Sequence, residues 1–323
     1  MSTGDVALQE TTPVASLKAD SSTPHLSLGQ LVWRRFRRHR MAMAGGIGVI
    51  LLLLFIIVGS FLIPEKKANE VDLHARLSPP SAEHWMGTDS TGRDVFSRII
   101  YGGQISLAVG ALAVIIAVLL GTTIGGVAAY SGGGADSVLM RFTDAILSIP
   151  QLLLLIVLAK SFGRDIQTIN VFGRSFSGSV GLVILVIGLT SWMYLARIVR
   201  GNILSLREMD FVSAARALGA GPWRIFIRHF VPNTLGAIIV AATLGLAAAI
   251  LTEAYVSFLG LGIQPPTASW GNILTSAQSF IQRGAWWMWV FPSLFIIITI
   301  LCINLMGDGM RDALDPRITK SDM

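Results

Sequence analysis

Six long apolar runs divide this chain, at 41–63, 105–130, 138–160, 179–199, 233–259 and 286–306. A helix rises about 1.5 Å per residue, so crossing a hydrocarbon layer of about 30 Å takes about 20 residues. Every run is that long. The composition, 53% apolar and only 14% charged, leaves too little polar surface to cover six such helices in water. Inside a bilayer every backbone N–H and C=O must be satisfied within its own segment, which favours helices. The expected fold class is an all-α integral membrane protein with six transmembrane helices.

The first run, with GVILLLLFIIVGSFLI at its centre, gains about 0.3 to 0.6 kcal/mol for each strong aliphatic residue inserted. It is longer than the apolar region of a signal peptide, and no small-residue cleavage site follows it. Arg34, Arg35, Arg37, Arg38 and Arg40 precede this run. Arg197, Arg200, Arg207, Arg216, Arg224 and Arg228 lie between the fourth and fifth runs, and Arg311, Arg317 and Lys320 follow the sixth. With six crossings all these cations share one side, which the positive-inside rule makes cytoplasmic. The net charge of +6 therefore reads as topology, with anionic lipid headgroups as its partner and no nucleic acid. The single cysteine, Cys302, lies within the sixth run and reads as a small apolar filler.

Five regions follow. Residues 1–40 form a polar N-terminal tail, expected to be disordered, ending in a basic interfacial helix; 41–63 is the first crossing; 64–104 is extracytoplasmic. Residues 105–310 form a five-helix core with a cytoplasmic loop at 200–232, and 311–323 is a cytoplasmic tail. In the external segment, Val95, Phe96, Ile99 and Ile100 predict a short amphipathic helix before the second crossing, with Gly87, Thr88, Asp89 and Gly92 as turn and cap residues. Gly121 and Gly125 form a G-x-x-x-G that lets helices approach closely. The stretch 131–136 reads as a turn, Pro150 as a kink, and Trp286, Trp287 and Trp289 as the outer interface.

The loop at 200–232 is charged and amphipathic between two apolar runs. Residues 205–208, SLRE, spell a capping box, from which a helix is expected to run until Gly219 ends it in a left-handed turn. Ala214, Ala215 and Ala217 are expected to leave its surface nearly bare. Pro222 then opens a second short helix, and Pro232 marks the junction with the fifth crossing.

The order Ala214, Ala215, three residues, Gly219, nine residues, then His229, Phe230, Val231 and Pro232 resembles the loop E-A-A-x-x-x-G-x9-I-x-L-P of ATP-binding-cassette importer permeases. Ser213 stands at the place of the motif's Glu and His229 at that of its Ile. The segments HWMGTDSTGRDVFSRIIYGGQISL, ILTEAYVSFLGLGIQPPTASWGNIL and NLMGDGMRDALDPR resemble the second permease subunit of dipeptide and oligopeptide importers. The resemblance implies the type I importer permease fold and a pairing with a homologous second permease. It also implies two cytoplasmic ATPase subunits and an extracytoplasmic peptide-binding protein. The helix 210–218 becomes the coupling helix, with Asp210, Ser213, Ala214, Ala215, Arg216, Ala217, Gly219 and Pro232 as its site residues. The chain then needs no cofactor of its own, because ATP and magnesium bind the partner ATPases. It is no enzyme, and its place is the cytoplasmic membrane of a bacterium or archaeon with both termini inside.

Glu253 and Asp144 are the intramembrane charges that could line a substrate path. Glu253 must face protein, water or the outer interface, and Asp144 has Arg141 at i−3 as a partner. Asp308, within GDG, reads as a turn. Related importers of nickel complexes or glutathione are the alternative reading. A secondary transporter fits less well, since buried charges are few and no pair of broken helices is evident. No H-E-x-x-H, G-x-S-x-G or phosphate-loop motif occurs, so neither a catalytic nor a metal site is expected.

Overall fold

The computed structural model describes residues 28–162, 169–171 and 174–314. The expected disordered tail at 1–27, and Arg317 and Lys320, lie outside these residues. A basic helix, α1 (Leu28–Arg38), ends at His39, whose Nδ1 accepts from Ala42 N at 3.1 Å to cap α2 (Arg40–Leu62). Phe36 of α1 is buried with Ala42 and Ala313, so α1 rests on the protein as well as facing the membrane surface. Among the described residues five helices are long and apolar enough to span a bilayer, and a bent pair makes a sixth crossing when counted as one.

After a one-turn helix, α3 (Glu65–Asn69), the chain up to residue 94 folds onto the start of α4 (Val95–Ser131). No separate amphipathic helix precedes the second crossing. The two are one helix of 37 residues, because no proline interrupts it and its first turns are themselves buried. Asp94 caps it by accepting from Ser97 N at 2.8 Å. Asp89 is also buried and accepts from Thr91 N, Arg93 N and Arg93 Nε at 2.8, 3.0 and 2.7 Å. Trp287 differs from the expected interfacial role: it is buried, and its Nε1 donates to Thr88 O at 3.0 Å. Trp286 and Trp289 remain exposed.

The third crossing is broken rather than kinked. Helices α5 (Gly133–Leu147) and α6 (Gln151–Phe162) meet at 77°. Pro150 lacks the N–H that would continue the ladder and drives Ile149 out of the helical region. The turn before α5 is tighter than the six-residue stretch suggested, with positive φ at Gly132 and Gly133 alone. A small antiparallel hairpin, β1 (Ile169–Val171) and β2 (Arg174–Phe176), precedes α7 (Ser179–Arg207).

The remaining elements are α8 (Asp210–Ala217), α9 (Pro222–Ile225), α10 (Val231–Phe258), α11 (Trp270–Ala277) and α12 (Trp287–Leu314). The segment GDG lies inside α12 and makes no turn, and α12 runs past the expected start of the C-terminal tail. Helix α4 is central, packed by α7, α10 and α2, while α2 also lies along α12. The G-x-x-x-G has the expected packing role. A Cβ on Gly121 would meet Leu195 Cβ at 2.8 Å, and one on Gly125 would collide with the backbone of Ala196, so only hydrogen lets α7 come this close.

Candidate functional site

Helix α7 does not stop at the expected capping box. Ile203 is buried and carries the apolar face onward, so 205–208 form its last turn, and Ser205 Oγ bonds back to Gly201 O at 3.3 Å. Helix α8 starts instead at Asp210, after Met209, with no side-chain cap. Its end matches expectation. Gly219 has φ +77°, Gly219 N donates to Arg216 O at 2.9 Å and Ala220 N to Ala215 O at 3.0 Å, the bond pair of a Schellman turn. Pro222 opens α9, and a π-helical turn at Phe226–Phe230 carries the chain into α10 without a break, accommodating Pro232.

Two residues of α8 point inward. Val212 packs with Ile203, Ile225 and Phe230, and Ala215, one turn on, is buried as well. The expectation that Ala215 forms part of the bare outer surface is therefore wrong: positions i and i+3 share a face, and Val212 fixes which face is inner. Asp210, Ser213, Ala214, Arg216, Ala217 and Gly219 are exposed together, and Pro232 is exposed beyond them. Leu218 and Trp223, at 88% and 69% exposure, join this surface. Sequence reasoning missed them, although two large apolar side chains in a polar loop were the available signal.

A cavity of about 890 Å³ opens between α7 and α10, with α4 as its floor and the end of α12 closing one side. Its walls are apolar, with small residues such as Ala237, Ala241, Gly245 and Ala248 along α10 and larger ones, Leu195 and Ile198, on α7. Its polar lining is Ser191 and Tyr194 at one end and Asn202, Asn233 and Arg311 at the other. Tyr194 is 70% exposed in the middle of α7, where a phenol facing lipid would leave its hydroxyl unpaired. Helix α2, apolar and little buried, packs on α4 and α12 and lines no part of the cavity. Of the cavity's polar residues the sequence reading names only Arg311, and that as a topology signal, although Tyr194 within an apolar run marked the place.

The two expected path residues do not line this cavity. Glu253 is fully buried near the outer end of α10, where its Oε2 accepts from Ser106 Oγ at 2.8 Å and its Oε1 from Ser257 Oγ at 2.7 Å. Those hydroxyls in turn accept from Trp270 N at 3.2 Å and Ile263 N at 3.1 Å. Glu253 thus ties the outer loop and α11 to α4 and α10. Asp144 pairs with Arg197 of α7 rather than with Arg141, and both partners are half exposed. Beside it Arg200 donates from Nε and a terminal nitrogen to both oxygens of Asp136, at 2.6 and 2.7 Å. Among the described residues no three of His, Cys, Asp and Glu gather as metal ligands.

Residues 121–320 match the family described as binding-protein-dependent transport system inner membrane component. Residues 27–80 match the N-terminal TM domain of oligopeptide transport permease C. The dipeptide transport system permease protein DppC of Bacillus subtilis is 41% identical, over 94% of this chain and 90% of that protein. The glutathione transport system permease protein GsiD of Pectobacterium atrosepticum is 40% identical, over 88% of this chain and 90% of that protein. Among solved structures, the MetNI methionine ABC transporter in an inward-facing form aligns with 68% of this chain and 98% of its own. The TM-score is 0.53 at 19% identity, a likeness of fold.

Proposed function

This chain belongs to the family of binding-protein-dependent transport system inner membrane components, and from that premise we propose that it is one permease subunit of an ATP-binding-cassette importer carrying di- or oligopeptides into the cytoplasm. The observation that carries the reading is α8. It is an eight-residue helix, locked by a Schellman turn and seated by Val212 and Ala215, that presents an outward face of small and charged residues. Such a face suits close approach by a cytoplasmic ATPase subunit. Two ATPase subunits hold ATP and magnesium, and this chain performs no covalent chemistry. A homologous permease covers the α7 and α10 face to complete the path, and an extracytoplasmic protein delivers peptide. Both termini are cytoplasmic, as the distribution of arginines requires.

Orientation is tested on a Cys302→Ala background. A cysteine at Ser279 should react with impermeant thiol reagents added outside, and one at Ser205 should not; the reverse pattern overturns the topology. The docking face is tested with Ala214→Trp, which adds bulk outward without touching the inner face. In reconstituted vesicles containing both permeases, the expected result is intact permease pairing with loss of ATPase co-purification and of binding-protein-stimulated hydrolysis. Wild-type values for both would refute the docking role. Uptake of peptides of graded length, compared with glutathione and a nickel complex, identifies the cargo.

A further inference from the structure

The polar groups of the cavity are distributed unevenly, and their arrangement has a chemical meaning. Arg311 is the sole cation among its lining residues, and no acid lines it. Asp312, next in sequence, is turned to His39, whose Nε2 lies 3.3 Å from its carboxylate. Among the described residues Arg311 has no ion-pair or hydrogen-bond partner. A guanidinium offers a planar fork of donors that matches a carboxylate, and a concave, low-dielectric wall strengthens its field. Asn202 and Asn233 stand at the same end; their Nδ2 groups donate to Ile198 O at 2.9 Å and His229 O at 2.6 Å, which leaves each Oδ1 to accept from a peptide N–H.

The dimensions are those of a short peptide. Asn202 lies eleven positions along α7 from Ser191, a rise of about 16 Å, and an extended peptide advances about 3.3 to 3.6 Å per residue, so about four to five residues fit lengthwise. The wall between the polar ends is apolar and uncharged, so it offers a peptide side chain no ionic or hydrogen-bonding partner to select it. Resting on the importer reading above, we propose that this cavity holds the peptide in transit, extended along α7, with its terminal carboxylate on Arg311 and its backbone amides at Asn202 and Asn233. Arg311 is then the residue that recognises a free peptide C-terminus, whatever the side chains.

The test uses the assembled transporter in inside-out vesicles with Ala237→Cys as a reporter in the cavity wall, on the Cys302→Ala background. Modification by a small thiol reagent is followed with and without a tetrapeptide and its C-terminally amidated form. Added directly to the cytoplasmic side, neither depends on delivery by the binding protein. The free acid should protect the cysteine at a concentration at least about tenfold below the amide, the change expected of one charge-assisted hydrogen bond. Arg311→Gln should abolish that difference and Arg311→Lys should keep most of it. Equal protection by acid and amide, or none by either, overturns the assignment even where the same vesicles import peptide. Loss of ATPase co-purification in Arg311→Gln would assign the residue to docking instead and overturn it as well. Wild-type vesicles, right side out with binding protein and ATP, that import no peptide would refute the importer reading itself.

Discussion

Substituting Gly219 probes the loop that carries α8 apart from the rest of the molecule. A Cβ built there meets nothing within 4 Å, so the cost of a side chain is torsional alone. At φ +77° an L-residue pays roughly 1 to 2 kcal/mol. Since about 1.4 kcal/mol is a factor of ten, Gly219→Ala should shift the loop away from its Schellman turn by about 5- to 30-fold. Two hydrogen bonds are at stake, those to Arg216 O and Ala215 O, and with them the angle at which α8 meets α9. Asn visits the left-handed region more readily, so Gly219→Asn should lose much less, and β-branched Gly219→Val more than either. The assay is binding-protein-stimulated ATP hydrolysis in vesicles, normalised to correctly paired permease. The expected order is Gly, Asn, Ala, Val. Equal hydrolysis in all four would refute the argument, because it would mean that the turn's geometry does not reach the ATPase.

Gly125→Leu should act differently, because its Cβ collides with the Ala196 backbone; α4 and α7 must separate, and detergent melting of the isolated chain should show a loss of at least about 1 to 3 kcal/mol in helix packing, whereas the cost of Gly219→Ala is confined to the loop. Glu253→Ala should strand the hydroxyls of Ser106 and Ser257 at about 1 to 3 kcal/mol each, read as faster hydrogen exchange in the outer loop and α11, with the reagent protection of Ala237→Cys by peptide unchanged. Asp89 gives the pH dependence. Burial raises its carboxyl, but the Arg98 and Arg93 guanidiniums and the Thr91 donors outweigh that and hold it below the usual carboxylate range. A lowered folded value means that the stabilisation is present above the unfolded value of about 3.9 and is lost as pH falls through the folded one. Proteolysis of the external segment should therefore stay slow down to pH below the ordinary carboxylate range and then accelerate, and Asp89→Asn should be fast at every pH.

The crossings were legible because each is a long run in a solvent that tolerates no unpaired backbone, and the left-handed turn at Gly219 because a glycine after a helical stretch has few other uses. The failures share a cause: short patterns were read without the burial that overrides them. S-x-x-E at 205–208 is a capping signal only where the chain is free to start a helix, and buried Ile203 keeps α7 going past it. The broken third crossing was hidden because hydropathy at 138–160 is continuous, whereas its geometry is decided by Pro150 and its neighbour. Ala215 misled because alanine carries no inside or outside preference, although Val212 three residues earlier does. The cavity was the least legible feature, since a concavity belongs to the gap between helices and not to any one of them.

The loop and the cavity are nevertheless one mechanical unit. Only Glu208 and Met209 separate α7 from α8, and α9 enters α10 through a π-helical turn with no break, so α8 hangs between the two helices that wall the cavity. Val212, Ile225 and Phe230 share a buried cluster with Leu195, which lines the cavity, and with Ile238, one residue along α10 from Ala237. Close-packed interiors resist compression, so a displacement imposed on α8 finds no slack to absorb it between the loop and those walls. Rigid-body movement of α7 against α10 would then change the width of the cavity rather than bend the loop. The packed inward face of α8, at Val212 and Ala215, is therefore the physical link between the loop and the cavity walls.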